Sequence, residues 1–459
     1  MENKLNQRAL VVGMARSGVS AAILLRELGY IVRLSDSKNQ EQLQEALSEL
    51  SPLDNIEYRL GEPAQGLLDD VDLVVISPGV PIDHPVVTAA QEKGIELIGE
   101  LELAARHGRG RLFAITGTNG KTTTTALVGE IFKNAGKMTY VVGNIGLPYT
   151  SVVAKTRPGD MTVCEVSSFQ LETVSQYHPE ISAILNFSPD HLNRHKTMDN
   201  YLLHKARIFI NQVGDDCVVL NYDDEAVKGL AAQVKCKVIW FSRTQVPPGG
   251  GSYIRNGEFV YGDVQNPRVI CPVNELVIPG PHNVENALAA SAIAMRAGIP
   301  APVIRHTLRT FKGVEHRMEP VRTLDSVAYI NDSKGTNVDS TLKAIEAMTK
   351  PTVLIAGGSS KQVDMLPLAR AIQAGNIDRV VLVGVTASEI SHALDAVGFD
   401  RYTHAGVDFE KAVTLARDQA KPGGVVMLSP ACASFDMFDD YEHRGREFKR
   451  IVLAFISGG

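Results

Sequence analysis

The sequence predicts an α/β protein of three domains: a Rossmann-like N-terminal domain, a central domain of P-loop type and a C-terminal Rossmann-like domain. Three observations point there. A chain of 459 residues is near three domains in length. Short apolar strands alternate with helical stretches from end to end and mostly stop in polar residues, the pattern of parallel sheets with ligands at their carboxyl ends. In the middle, residues 113–125 read FAITGTNGKTTTT, an apolar strand that breaks into a glycine turn before the helical ALVGEIFKNAG. The boundaries read from these shifts are 1–99, 100–313 and 314–459.

The first domain opens with RALVVGMARSGVSAAILLRELG, a strand, a turn and a helix, and its second strand, YIVRLSD, ends in Asp36. That is the layout of a Rossmann-like unit, but Ala15 replaces the second glycine of the dinucleotide fingerprint. A different nucleotide, or a mononucleotide, suits it as well as NAD. DLVVISPGVPIDHP then reads as a buried strand stopped by Pro78 and Gly79.

The central domain holds the glycine turn. Exposed backbone N–H groups and the positive end of a helix suit a triphosphate; Lys121 can reach its terminal phosphates and the Thr122 hydroxyl can ligate magnesium. The usual P-loop pattern is incomplete, since its first glycine would fall at Ile115 and Gly117 sits two places later. Further strands, TYVVGNIG, MTVCEVSSFQLE, ISAILNFSPDHLNRH and DCVVLNYDDE, end in polar residues. They bring Glu165 and His191 to strand ends, and Lys205 follows in YLLHKARIF, on a helix. A carboxylate, an imidazole and the Thr122 hydroxyl together could bind magnesium beside a triphosphate. Singly, Glu165 also reads as a buried paired acid, His191 as a satisfied turn histidine and Lys205 as one charge on a helix face. Their company with the phosphate loop is what recommends them. VPPGGGSYIRNGEFVYGD reads as a loop and hairpin, and PGPHNVENALAASAIAMRAG places Asn283 and Asn286 at the start of an alanine-rich helix.

The C-terminal domain alternates VAYINDSKGTN, PTVLIAGGSSK, RVVLVG and GGVVMLSPACASFD with helical stretches. Asp332, Ser333 and Lys334 end one strand, Gly357, Gly358 and Lys361 another, and SPACASFD a third. Lysines and hydroxyls gathered at strand ends suit an anionic ligand such as a small dicarboxylate. They also read as ordinary loop polar groups.

Composition narrows the class. The chain is 44% hydrophobic and 21% charged, ordinary for a soluble globular protein. A net charge of -6 with no long run of one sign argues against a nucleic-acid binder. The five cysteines, at 164, 217, 236, 271 and 432, include no CxxC pair and fit neither a disulfide framework nor a zinc site. MENKLNQRALVVG has no long apolar core, and no stretch is long enough to span a bilayer, so a cytoplasmic protein is the expectation.

The combination of TGTNGKTT (116–123), GNIG (143–146), EVSSFQLE (165–172), the DH of SPDH, PGPHNVENALAA (279–290) and EHRME (315–319) resembles the Mur ligase family of ATP-dependent amide-forming ligases. YINDSKGTN (329–337), GGSSK (357–361) and LSPACASFDMFDDYEHRGREF (428–448) are similar to its D-glutamate-adding members. The resemblance implies that ATP phosphorylates the terminal carboxylate of UDP-N-acetylmuramoyl-L-alanine (UDP-MurNAc-L-alanine). The amine of D-glutamate then attacks the acyl phosphate, in the synthesis of a peptidoglycan precursor.

It also implies roles. Gly117, Thr118, Asn119, Gly120, Lys121, Thr122 and Thr123 would bind ATP, with Asn283 and Asn286 facing adenine, Arg317 the phosphates and Asp332 the ribose. Two magnesium ions would be held by Thr122, Glu165, His191 and Lys205, the lysine as a carbamate. Asn144 would lie near substrate and metal, and with Lys121, Glu165, His191 and Lys205 would make up the catalytic set. Ser17, Asp36, Ser37, Lys38 and Gly79 would bind the uridine diphosphate part, alongside Asn144 and His191. That use of the fold for UDP accounts for the broken fingerprint. Lys334, Thr336, Lys361, Ser434, Phe435 and Tyr441 would hold D-glutamate. A monomer is expected, with no nucleic-acid partner. The other readings are a related ligase for another amino acid, such as a folate polyglutamating enzyme, a non-catalytic ATP-binding protein, and an NAD oxidoreductase.

Overall fold

The computed structural model describes residues 7–61, 66–190, 192–359 and 363–457. Three sheets carry the chain. The first has five parallel strands, Ile56–Leu60, Ile31–Asp36, Arg8–Val12, Leu73–Ile76 and Glu96–Gly99 in spatial order. Its strands are runs such as RALVV and LVVI, buried on both faces, as helix-covered parallel strands must be. Close packing of helix Arg16–Glu27 on the sheet requires Gly18, because a Cβ there would stand 1.8 Å from the Gly13 carbonyl oxygen.

The second sheet has nine strands. Five parallel strands lie side by side out to one edge: Gly214–Asn221, Ile181–Ile184, Arg111–Thr116, Met161–Glu165 and Thr139–Gly143. The expected hairpin is there, Gly251–Arg255 antiparallel to Glu258–Gly262, and Arg268–Pro272 pairs outside it as the other edge. The third sheet has six strands. Val327–Asn331, Val425–Leu428 and Thr352–Ala356 lie adjacent and parallel, and Glu319–Leu324 is an antiparallel edge. The α/β class and its three sheets are those the alternating pattern predicts.

The chain folds into two compact units. One comprises Met1–Leu276 and Val284–Thr310 and contains the first two sheets; the other comprises Val277–Asn283 and Phe311–Gly459. Within the first unit, helix Glu100–His107 joins the two sheets. Glu102, wholly buried, accepts from the backbone N–H groups of Ser175 at 3.0 Å, Gln176 at 2.8 Å and Tyr177 at 2.9 Å, and from Arg106 Nε at 2.8 Å. Burial alone would raise its pKa, but these donors outweigh burial and hold it below the usual glutamate value.

A depressed folded-state pKa contributes stability that is present above the unfolded value and lost as pH falls through the folded one. Stability should therefore decline below about pH 4.3, the unperturbed glutamate value, more steeply in the native protein than in Glu102→Gln. At pH 7 that substitution should cost roughly 2–3 kcal/mol by urea unfolding, because buried N–H groups lose a charged acceptor. Equal acid sensitivity of the two proteins would contradict this account of Glu102.

Candidate active site

The phosphate loop lies between strand Arg111–Thr116 and helix Lys121–Asn134. Gly120 caps the helix in a left-handed conformation, φ 81°, and a Cβ there would stand 2.2 Å from Asn286 Oδ1. Only glycine fits. The loop is fastened from the neighbouring strand end. Asn186 Oδ1 accepts from Asn119 N at 2.8 Å and its amide donates to Asn119 O at 3.1 Å; Ser188 N donates to Thr118 Oγ1 at 3.1 Å. Thr124 Oγ1 donates to Asn286 Oδ1 at 3.2 Å, which sets Asn286 against the helix start. Thr122 is half-buried in the first turn and Thr123 is buried.

Two lysines converge on this loop. Lys121 Nζ donates to the carbonyl oxygens of Gly117 at 3.0 Å and Thr118 at 2.8 Å. Lys205, on helix Met198–Ala206, is buried and donates to the same Gly117 oxygen at 2.8 Å, with its Nζ 4.5 Å from the Tyr201 ring centroid. Burial, and then the charge of Lys121, push the Lys205 pKa well below the usual lysine value, while Asp190 opposes them.

Glu165 ends the strand beside the loop and is 1% exposed. Its Oε1 accepts from Asn144 Nδ2 at 2.8 Å, while Oε2 is buried without a hydrogen-bond partner. An orphaned buried carboxylate oxygen at the end of the strand that pairs with the one leading into the loop is a donor that fits a hard divalent cation, as is the threonine hydroxyl of the helix start. His191 lies outside the described residues.

At the first sheet, strand order reverses between Arg8–Val12 and Leu73–Ile76, so a ligand crevice is expected between the turns that follow them. Asp36, the last residue of strand Ile31–Asp36, accepts from Met14 N at 2.7 Å and from Lys38 N at 2.9 Å, bracing the turn after Arg8–Val12 against the turn after its own strand. Ser17 is half-buried there, and Ser37, Lys38 and Gly79 are exposed.

In the second unit, three adjacent strands deliver three loops to one edge. They are the loops after Asn331, Ala356 and Leu428. Arg444 binds two of them together. Buried at 1% exposure, it donates from Nε to Ser333 Oγ at 3.0 Å, from Nη2 to Ser333 O at 2.9 Å, and to the carbonyls of Cys432 and Ala433 at 3.2 Å. Burial pushes its pKa down to about 10. Lys334 Nζ donates to Tyr441 Oη at 3.3 Å; Ser434 is buried, Phe435 is exposed and Thr336 is half-buried.

Asp332, wholly buried, accepts from Ser429 Oγ at 2.7 Å and lies 3.6 Å from Arg317; burial raises its pKa against those partners. Arg317 stands between His316 and Met318, both left-handed, φ 63° and 46°. Such backbone strain persists only where the surroundings impose it. Asn283 donates to Pro279 O at 2.6 Å. Lys361 lies outside the described residues. Asn186, Arg194 and Arg444 were not singled out from sequence. Their signals were a strand-end asparagine, an arginine just past the SPDH motif and an arginine within the 428–448 motif, and their partners are mostly distant backbone carbonyls.

Residues 7–99 match the Mur ligase MurD-like N-terminal domain, 115–294 the Mur ligase middle domain and 316–432 the Mur ligase glutamate ligase domain. The chain belongs to the Mur ligase family. Among its relatives, the UDP-N-acetylmuramoylalanine--D-glutamate ligase of Thermoanaerobacter pseudethanolicus is 47% identical over 97% of this chain and 98% of the relative. The protein of that name from Clostridioides difficile is 45% identical over 96% and 97%. Two solved structures share the fold at 20% identity, each covering 98% of this chain and 99% of its own. They are a UDP-N-acetylmuramate-alanine ligase from Thermotoga maritima, TM-score 0.62, and a pseudomurein peptide ligase type C from Methanothermus fervidus, TM-score 0.59.

Gly120→Ala should weaken binding of an ATP analogue by about tenfold or more, read by calorimetric titration. Unchanged affinity would show that the loop does not need its left-handed glycine.

Proposed function

We infer that this chain is an ATP-dependent ligase that joins D-glutamate to UDP-MurNAc-L-alanine, releasing ADP and phosphate. The observation that carries this is kinship with D-glutamate ligases over nearly the whole chain, the C-terminal domain included. The reaction builds negative charge twice, on the transferring phosphoryl group and on the tetrahedral carbonyl, so catalysis is chiefly positioning and electrostatics.

The phosphate loop, Gly117 to Thr123, would take the ATP phosphates on its N–H groups, with Lys121 turned toward the terminal phosphates. Thr122, Glu165 through its orphaned Oε2, His191 and Lys205 would hold magnesium. Magnesium bound there supplies neutralisation of phosphoryl oxygen charge. Lys205 suits a carbamate because burial favours its neutral, nucleophilic amine, whose addition to carbon dioxide with loss of a proton would leave an anion beside Lys121. Asn144, bonded to Glu165, would meet the substrate near the metal.

Asn283 and Asn286 are assigned to adenine, Arg317 to the phosphates and Asp332 to ribose. Ser17, Asp36, Ser37, Lys38 and Gly79 are assigned to the uridine diphosphate part. Lys334, Thr336, Lys361, Ser434, Phe435 and Tyr441 are assigned to D-glutamate, whose two carboxylates match lysines and hydroxyls. Among the described residues no helix is long and apolar enough to cross a membrane. The protein is proposed to work as a cytoplasmic monomer.

The testing experiment is phosphate release with ATP, magnesium and UDP-MurNAc-L-alanine, comparing D-glutamate with L-glutamate, D-alanine, L-lysine and meso-diaminopimelate. Release with D-glutamate alone is expected; release with another of them would overturn the substrate, and none with any would overturn the ligase. Lys205→Ala should lose activity on the order of 100-fold or more, with part restored by formate or acetate. Full activity in that variant would refute the carbamate. Lys334→Ala should raise KM for D-glutamate by about tenfold and that for ATP by less than about twofold. Equal rises would contradict the amino-acid assignment.

A further inference from the structure

The first sheet places a ligand crevice at its switch point, between the Gly13 turn and the Ser77–Val80 turn. These two walls are tied to each other, Ser77 Oγ donating to Gly13 O at 2.9 Å, and the second is closed on itself by Val80 N donating to Ser77 O at 2.9 Å. One wall is also gripped from the other sheet's domain. Arg194 belongs to the short helix Leu192–His195, which follows the strand end that carries Asn186 and Ser188, the residues that fasten the phosphate loop.

Its guanidinium donates from Nη1 to Pro78 O and from Nη2 to Val80 O, both at 3.1 Å, on either side of Gly79. The adjacent edge, which shares Nη2, is locked by Glu172, Nε to Oε1 at 3.1 Å and Nη2 to Oε2 at 2.5 Å, and that carboxylate is 2% exposed. The guanidinium carbon stands 4.3 Å from the Phe169 ring centroid. A planar fork held on one edge by a buried carboxylate and on the other by two carbonyls fixes distance and angle together, which an ammonium group cannot do.

We propose that Arg194 is a positioning residue that sets the register between the switch-point crevice and the phosphate loop, and so governs how the uridine-nucleotide substrate is held. The proposal rests on the ligase reading for the identity of that substrate. A nucleotide anchored in the crevice must bring its carboxylate to the phosphate loop, and an error near 1 Å in such an approach costs on the order of 100-fold in rate. Glu172 acts through Arg194.

The test compares native protein with Arg194→Lys, and with Glu172→Gln, which keeps the guanidinium but loosens its anchor. Arg194→Lys should raise KM for UDP-MurNAc-L-alanine by about tenfold or more, with KM for ATP and for D-glutamate within about twofold of native. Glu172→Gln should shift the same constant in the same direction by less. The Kd for UDP-MurNAc-L-alanine, titrated calorimetrically without ATP or D-glutamate, should weaken in parallel in both variants. Loss of thermal stability with all three KM values and this Kd unchanged would reduce Arg194 to a structural brace and overturn the proposal. So would an equal rise of all three KM values. Native protein that binds UDP-MurNAc-L-alanine yet releases no phosphate would contradict the ligase reading alone, because the calorimetric comparison reads Arg194 without turnover.

Discussion

Two ammonium groups meet on one carbonyl oxygen. Lys121 and Lys205 both donate to Gly117 O, so their nitrogens lie within about 6 Å of each other, the range in which like charges raise each other's cost strongly. One of them is half-buried at a helix start; the other is buried in the core of its domain. Burial and then the charge of Lys121 push the pKa of Lys205, the more deeply desolvated of the two, well below the usual lysine value. The helix Met198–Ala206, the aromatic ring of Tyr201 beneath Lys205 and the strand end that fastens the loop all serve to keep these two lysines where they are.

A common device recurs elsewhere in the chain. Arg444 in the second unit is buried and spends its donors on the carbonyls of Ser333, Cys432 and Ala433 and on one hydroxyl, not on a carboxylate. Carbonyl partners satisfy hydrogen bonds without cancelling charge, so positive potential is retained near the loops assigned to a dicarboxylate. Arg194 differs: Glu172 neutralises it, and its remaining donors act as a geometric link between turns.

Sequence made the fold class and the phosphate loop legible for physical reasons. Residues 111–134 carry strand, turn and helix in one continuous stretch, and the turn needs glycine at Gly120 whatever surrounds it. Glu165 and Lys205 were legible only as company for that loop, and the structure adds what spacing could not: the orphaned Oε2 of Glu165 and the shared Gly117 oxygen. Asn186, Arg194 and Arg444 were not legible as functional, because what they grip is largely backbone. Arg194 reaches Pro78 across 116 residues and Arg444 reaches Ser333 across 111, and a carbonyl leaves no signature in the sequence. The grouping of Val277–Asn283 with the second unit was equally hidden, since it depends on tertiary packing and not on local pattern.

The proposed ligase site depends on a carbamate forming on Lys205 beside Lys121. Carbon-13 NMR of the full-length protein equilibrated with labelled bicarbonate reads this directly. The expected result is a carbamate carbonyl resonance in native protein that is absent from Lys205→Ala. Native protein with no such resonance, or a resonance that survives in Lys205→Ala, would contradict it.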